Sequence, residues 1–422
     1  MQVAVLGSGG REHAIAWKLN QSSRIDKIFS IPGNGGTSNN ILLDIMDFKS
    51  IAEFCRSAKI DVLVVGPEAP LAAGITDYMV QAGIRVFGPN RQAARLESSK
   101  VFAKQFMKKH GVASAAFTEI SCADKASEGR MKDFFLKEDG CVIKYDGLAG
   151  GKGVYVCDSP VEVKKVVGEI CQKYGSQARI IIEEKLYGDE ISLLAFVDGR
   201  NYHLLQPSQD HKQIYDNDRG PNTGGMGAFC PVPDLSERLW KRIIEDTVEP
   251  TLRGIHEEGI VYRGVLYFGL MITAQGPRVL EYNVRLGDPE AQVVLPALKT
   301  DLLDIITACI EGELSSLQLE FNPGYFADIV MAMAGYPGKY EKDRLISGLQ
   351  SYPGLVFHAG TRMEKGSYLT AGGRVLNVVG QGENLSEAVN AAYQGVKKIS
   401  FPGQYYRKDI GNRLNPVIKS FV

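Results

Sequence analysis

The stretch KYDGLAGGKGV, Lys144 to Val154, carries four glycines and two lysines in eleven residues. Short β-branched runs flank it, Gly140 to Lys144 and Val154 to Cys157, so it is predicted to be a hairpin between two strands. It is not a Walker A loop. The first glycine of that motif would fall at Asp146, Gly153 stands where Ser or Thr is needed, and a P-loop joins a strand to a helix. A flexible glycine hairpin with lysines suits a flap that closes over a triphosphate. Lys144 and Lys152 would neutralise phosphate oxygens, and the amides of Gly151 and Gly153 would bond them. The plainer alternative is an ordinary tight turn.

Before the hairpin, Val3 to Leu6, Ile28 to Ile31, Val62 to Val65 and Arg85 to Phe87 alternate with helical spacing over Arg11 to Leu19, Phe48 to Ala58 and Gly74 to Ala82. That pattern predicts a doubly wound parallel sheet, followed by a helix over Gln92 to His110. The turn GSGGREH after the first strand invites a dinucleotide reading. However, the third glycine position of G-x-G-x-x-G holds Glu12, and the second strand ends at Ile31-Pro32 without an acidic residue for a ribose. Gly9, Gly10 and Arg11 are left as either a phosphate site for another ligand or a purely structural turn. Glu68, in the loop GPEAPLAAG, points to the same sheet edge, where it would accept from sugar hydroxyls or simply be solvated.

After the hairpin, a helix over Val161 to Tyr174 and strands over Arg179 to Glu184 and Glu190 to Val197 complete a small α+β module. The string IIEEKLYGDE places main-chain groups of Glu184 and Leu186 where an adenine edge would be read, and Glu190 where ribose hydroxyls would be held. Gln206 to Pro233 reads as a long polar loop, and such loops tend to be functional. A helix over Glu237 to Glu258, strands over Gly264 to Ile272 and Arg278 to Asn283, and helices over Glu290 to Leu298 and Leu302 to Glu311 follow. A third unit begins near Asn322, with strands at Ala327 to Ala334, Leu355 to Thr361 and Arg374 to Gly380 and a helix at Leu385 to Ile399.

The segment RVLEYNVRLGDPEAQ, Arg278 to Gln292, reads as the chemical end of the site. Glu281 and Asn283 have strand spacing, so both side chains emerge on one face and offer hard oxygens to Mg²⁺. Arg285 continues that face if the strand persists, its fork suited to a carboxylate or a transferring phosphoryl group. Asp288 either holds an amine or caps the following helix.

With 422 residues, 44% of them apolar, the chain has material for several structural units. A net charge of −1 gives no chain-wide attraction to nucleic acid or an anionic membrane, so small molecules are the expected partners. The seven cysteines are scattered and are read as reduced, mostly buried thiols in a reducing compartment. No signal peptide or membrane span is visible, and a cytoplasmic monomer is expected.

Together GLAGGKGV, QDHK, GPNTGGMGA and RLGDPEAQ resemble the phosphoribosylamine–glycine ligases of the ATP-grasp superfamily over essentially the full length. The resemblance implies an α/β and α+β multidomain chain: an N-terminal doubly wound domain (1–100), an ATP-grasp domain (101–320, lid about 122–188) and a small C-terminal α+β domain closing the substrate site (321–422). It implies ligation of glycine to 5-phosphoribosylamine in purine biosynthesis, with glycyl phosphate as intermediate. ATP would be held by Lys104, Lys144, Lys152, Glu183, Leu186 and Glu190, and Mg²⁺ or Mn²⁺ by Glu281 and Asn283. Lys144, Lys152, Arg285 and Asp288 would serve the chemistry. Gly10, Arg11, Glu68 and Arg374 are the implied ribose-phosphate contacts, and Asp210, Arg285 and Asp288 lie among the remaining substrate contacts. Two departures stand out: Gly269 where many ATP-grasp enzymes have a second metal carboxylate, and Gly150 where alanine is expected before GKG.

Overall fold

The structure is a computed structural model that describes residues 1–123, 129, 131, 134, 140–148, 153–412 and 416–421. Its first sheet is fully parallel, in the order β2-β1-β3-β4: β1 is Gln2–Gly7, β2 Lys27–Pro32, β3 Val62–Val65 and β4 Val86–Phe87. Val3 to Leu6 and Val62 to Val64 are essentially inaccessible. They form the continuous apolar run expected of strands covered on both faces. The doubly wound unit therefore stands as expected. Glu68 differs from its expected loop setting: it opens a short helix, Glu68–Ala73.

The predicted Gln92–His110 helix is broken. Helix Arg95–Ser98 ends at Ser99, whose extended backbone and side chain cap the next helix, Lys100–Lys109, by accepting from the Phe102 amide. The break turns Glu97 inward.

The lid sheet runs β5-β8-β6-β7, with β5 Phe117–Ser121, β6 Cys141–Tyr145, β7 Val154–Cys157 and β8 Arg179–Glu184. β6 and β7 pair antiparallel with Lys144 opposite Val154, so the strands on either side of the glycine segment are paired as expected, while residues 149–152 lie outside the described residues. Helix Pro160–Tyr174 covers this sheet. Here the cysteine expectation needs correcting. Cys122, just past β5, is disulfide-bonded to Cys171 on that helix across 49 residues of sequence, while the five other cysteines are buried free thiols. Only the packing of the helix on the sheet brings the pair together.

A third sheet, β10-β9-β15-β16, is the floor of the site: β9 is Asp189–Val197, β10 Tyr202–Leu204, β15 Gly264–Thr273 and β16 Gly276–Asn283. The expected Glu237–Glu258 helix lies behind it, interrupted by a π turn at Ile244–Val248. There the Thr247 hydroxyl donates back to the Ile243 carbonyl.

The expected Gln206–Pro233 loop instead carries four short strands. β11 (Gln209–Asp210) and β14 (Gly227–Cys230) join β17 (Tyr325–Met333), β18 (Leu355–His358) and β21 (Arg374–Gly382) in the order β11-β14-β17-β21-β18, with β22 (Gln404–Tyr405) beside β17. β12 (Gln213–Tyr215) and β13 (Arg219–Asn222) form a hairpin between β11 and β14, and β19 (Thr361–Glu364) and β20 (Ser367–Thr370) form another. The C-terminal sheet is thus completed by mid-chain strands. Short strands rich in Gly, Pro and Asn lack alternation, and β14 joins the C-terminal sheet only by pairing with β17, about a hundred residues later. Among the described residues, no helix is long and apolar enough to cross a membrane.

Candidate active site

The sheets enclose a cavity of about 610 Å³, lined on one side by the lid, on the floor by β9, β15 and β16, and on the third side by the N-terminal and C-terminal units. Of the residues expected from sequence, Arg11, Glu68, Lys104, Lys144, Gly153, Glu183, Glu184, Leu186, Glu190, Asp210, Glu281, Asn283, Arg285, Asp288 and Arg374 all line it. Gly151 and Lys152 lie outside the described residues. Gly10 is buried away from the lining, its Cα crowded by the amide groups of Gln292 and Asn377.

At the lid end, two lysines share one acid. Lys144 Nζ donates to Glu183 Oε2 at 3.0 Å and to the Leu280 carbonyl at 2.8 Å. Lys104 Nζ stands 3.6 Å from the same carboxylate and donates to the Ala115 carbonyl at 2.9 Å. All three side chains are almost fully buried, so a surplus positive charge faces the cavity. Burial, opposed by Glu183 and aided by Lys144, pulls the Lys104 ammonium down to about 8. Lys104 therefore carries its charge below that pH and loses it above. If that charge binds phosphate, ATP affinity falls as pH rises through 8, by about tenfold at pH 9. Calorimetric ATP titrations at pH 7 and pH 9 check this, and Lys104→Met should abolish the difference.

Where the adenine edge was expected to be read, the Glu184 amide donates to the Ala116 carbonyl, and the Ala116 amide to the Glu184 carboxylate, each at 3.0 Å. Glu184 is therefore anchored to the protein, and Leu186 follows it at the cavity wall. Glu190 pairs with Lys212 at 3.0 Å, a cavity residue that sequence reasoning overlooked although it ends the QDHK string.

On the floor, Glu281 and Asn283 occupy one face of β16, with Gly269 of β15 opposite Glu281. Burial would raise the Glu281 carboxyl, but Lys212, Lys144, Lys100 and Arg285 together hold it below the usual range. It remains a carboxylate. Among the described residues no group of three His, Cys, Asp or Glu could by itself cage a metal. One carboxylate and one amide oxygen fit Mg²⁺, which takes its other ligands from water and substrate phosphates.

β16 ends at Asn283, so Arg285 does not continue the strand face as expected. It is aimed by acids instead: Glu97 Oε1 at 3.0 Å, Glu68 Oε2 at 3.4 Å, and the Asn283 amide oxygen at 3.2 Å. The second Glu97 oxygen accepts from the Val284 amide at 2.7 Å. Glu97 had no motif to reveal it, and the single helix expected over Gln92 to His110 hid the break at Ser99 beside it.

Asp288 is not the cap of the next helix. Its two oxygens accept from Gln292 Nε2 at 2.8 Å and pair with Arg374 Nη2 at 3.1 Å, and Arg374 and Arg11 help hold it ionised. Arg374 also donates to the carbonyls of Gly224 and Asp288, tying the C-terminal sheet to the cavity. At the first glycine turn, Glu12 accepts from the Gly9 amide and from Arg11, both at 2.6 Å. Its carboxylate fills the anion position at the helix N-terminus, which a dinucleotide phosphate would need. Arg11 also donates to the Leu286 carbonyl.

Family models for the N domain, the ATP-grasp (A) domain and the C domain of phosphoribosylglycinamide synthetase match residues 1–97, 98–291 and 326–413. A phosphoribosylamine–glycine ligase of Caldanaerobacter subterraneus subsp. tengcongensis is 44% identical, the match covering 97% of this chain and 99% of that protein. The chain belongs to the phosphoribosylglycinamide synthetase family. The phosphoribosylamine–glycine ligase of Thermotoga maritima has the same fold, with a TM-score of 0.83 at 37% identity over 97% of this chain and 100% of that one. The chain also matches the trifunctional purine biosynthetic protein adenosine-3 of Homo sapiens at 45% identity over 98% of its own length, spanning 42% of that protein. A biotin carboxylase domain of Hydrogenobacter thermophilus, solved with MgADP, shares the fold alone, with a TM-score of 0.70 at 16% identity, covering 96% of this chain and 91% of that one. As a family member, the chain is an ATP-dependent carbon–nitrogen ligase.

Proposed function

We propose that the chain joins glycine to 5-phosphoribosylamine, giving glycinamide ribonucleotide, ADP and phosphate, through glycyl phosphate. One observation carries the reading: a single cavity holds, in sequence, a paired-lysine end, an acidic oxygen pair and an arginine–aspartate end. A free carboxylate resists attack by an amine, and moving a phosphoryl group onto it chiefly demands alignment and charge neutralisation. Lys104 and Lys144 bind the nucleotide phosphates, and Lys152 adds its charge from the flap. Glu183 holds the two buried lysines, Leu186 meets the adenine and Glu190 the ribose. Glu281 and Asn283 would hold Mg²⁺ or Mn²⁺, which would neutralise charge on the phosphates.

Arg285, aimed by Glu97, meets the glycine carboxylate and the phosphoryl group arriving on it. Asp288, with Asp210, orients the attacking amine, and Arg11, Glu68 and Arg374 frame the phosphoribosyl end. Closure of the glycine hairpin excludes water from the acyl phosphate. The test is ADP release with glycine plus phosphoribosylamine, compared with formate plus glycinamide ribonucleotide. Release on the first pair alone is expected; release on the second alone overturns the assignment.

A further inference from the structure

A buried polar seam lies behind Asp288, outside the cavity lining. Asp328 on β17 has no accessible surface, and among the described residues neither of its carboxyl oxygens has a hydrogen-bond partner. It faces the helix Ala291–Ala297, on the same side of β17 as Phe326, while Ile329 and Met331 pack on the opposite side. Its diagonal neighbour on β21 is Asn377, since Asp328 pairs with Val379 and Val330 with Asn377. Gln292, on the overlying helix, and Asn377 both bring their amide nitrogens up against Gly10, where a Cβ would lie within 2.5 Å of each. Gln292 Oε1 and Asn377 Oδ1 are likewise buried and unpartnered.

The amide nitrogens face elsewhere. Gln292 Nε2 donates to Asp288 at 2.8 Å, and Asn377 Nδ2 to the Phe357 carbonyl at 3.4 Å. An ionised Asp328 would draw those N–H groups toward itself, and Gln292 would then release Asp288. The seam instead collects oxygens that lack a donor, a costly arrangement when buried. A protonated acid supplies that donor.

We propose that Asp328 is kept as the neutral carboxylic acid and that its O–H, donated into the Gln292–Asn377 amide pair, holds Gln292 in the orientation that positions Asp288. Asp328 is thus a positioning residue acting through Gln292. The charged groups that reach it are Asp288, which disfavours a second negative charge, and Arg374, which favours one; burial outweighs both and drives the carboxyl well above its usual range. The overlying helix Ala291–Ala297 brings no titratable side chain, and the paired strand β14 brings the Cys230 thiol, which burial pushes up and keeps neutral. The functional consequence rests on the proposed role of Asp288.

Two readouts test the proposal. Asp328→Asn supplies an uncharged donor of nearly the same shape, so its kcat is expected within about threefold of the parent's at pH 7, whereas Asp328→Leu, which has no donor, should fall at least about tenfold with KM for ATP unchanged. An acid whose proton is held more tightly in the folded chain loses folding stability as pH rises above its unfolded value. The parent's unfolding midpoint should therefore drop relative to that of Asp328→Asn between pH 5 and pH 8. If Asp328→Asn is as impaired as Asp328→Leu, or if its midpoint tracks the parent's at both pH values, the proposal is overturned. Asp288→Asn serves as the control: full turnover there would remove the assigned role of Asp288, while the midpoint comparison would still decide the state of Asp328.

Discussion

Glu281→Gln is expected to lower kcat by about 10³-fold while changing KM for ATP and glycine only a few-fold. Glutamine keeps the shape and one oxygen but removes the negative charge that Lys212, Lys144, Lys100 and Arg285 all face. With the charge gone, those cations lose a shared counter-ion, and the metal position retains neutral oxygens only. ATP still has Lys104 and Lys144, anchored through Glu183 rather than Glu281, so binding should survive. Steady-state ADP release, together with calorimetric ATP binding, separates the two effects. A variant that still turns over at the parental rate would show that Glu281 is a structural acid and would favour a nucleotide-binding role for the cavity over a catalytic one.

Arg285→Lys should be nearly as damaging, with kcat down about 10²-fold or more. Arginine's planar fork donates through Nη2 to Glu97 and Asn283 while its Nε lies 3.4 Å from Glu68, and a single ammonium nitrogen cannot spread its charge over positions that far apart. The charge is retained, so buried Glu97 keeps a counter-ion and the protein should fold. Arg285→Met is the contrasting case. It leaves Glu97 buried without its cation, where burial already pushes the carboxyl upward, and should cost about 3 to 5 kcal/mol of stability. Denaturant unfolding of the two variants, read beside their turnover, distinguishes a lost catalytic contact from a collapsed site. Equal turnover by the lysine variant and the parent would exclude a directed role for the guanidinium.

The elements legible in the sequence are those whose signal is local. Strand runs in the first ninety residues were readable because both faces are buried, which forces consecutive apolar residues. The strands on either side of the glycine segment were readable from their β-branched runs. Glu281 and Asn283 share a face because side chains alternate along any strand, and β16 keeps that register against β15. Glu12 was recognised as an obstacle to a dinucleotide; its carboxylate occupies the helix N-terminus.

What escaped was set by contacts distant in sequence. β11 and β14 read as loop because β11 pairs only with β14, and β14 gains its other partner, β17, about a hundred residues later. Arg285 lies past the end of its strand, so its direction comes from Glu97, on a helix 188 residues earlier. The Cys122–Cys171 bond needed the helix seated on the lid sheet. Asp288 read equally well as a cap or an amine ligand until Arg374 and Gln292 were found on its two oxygens.

By itself the sequence determined the strands on either side of the glycine segment, the shared face of Glu281 and Asn283 and the family, because each is written in neighbouring residues whose geometry the backbone repeats. Only the tertiary structure decided how the acids and cations pair across the cavity and which buried carboxyl lacks a partner. Those outcomes depend on burial and on distances between side chains far apart in the chain, and electrostatic interactions change with both.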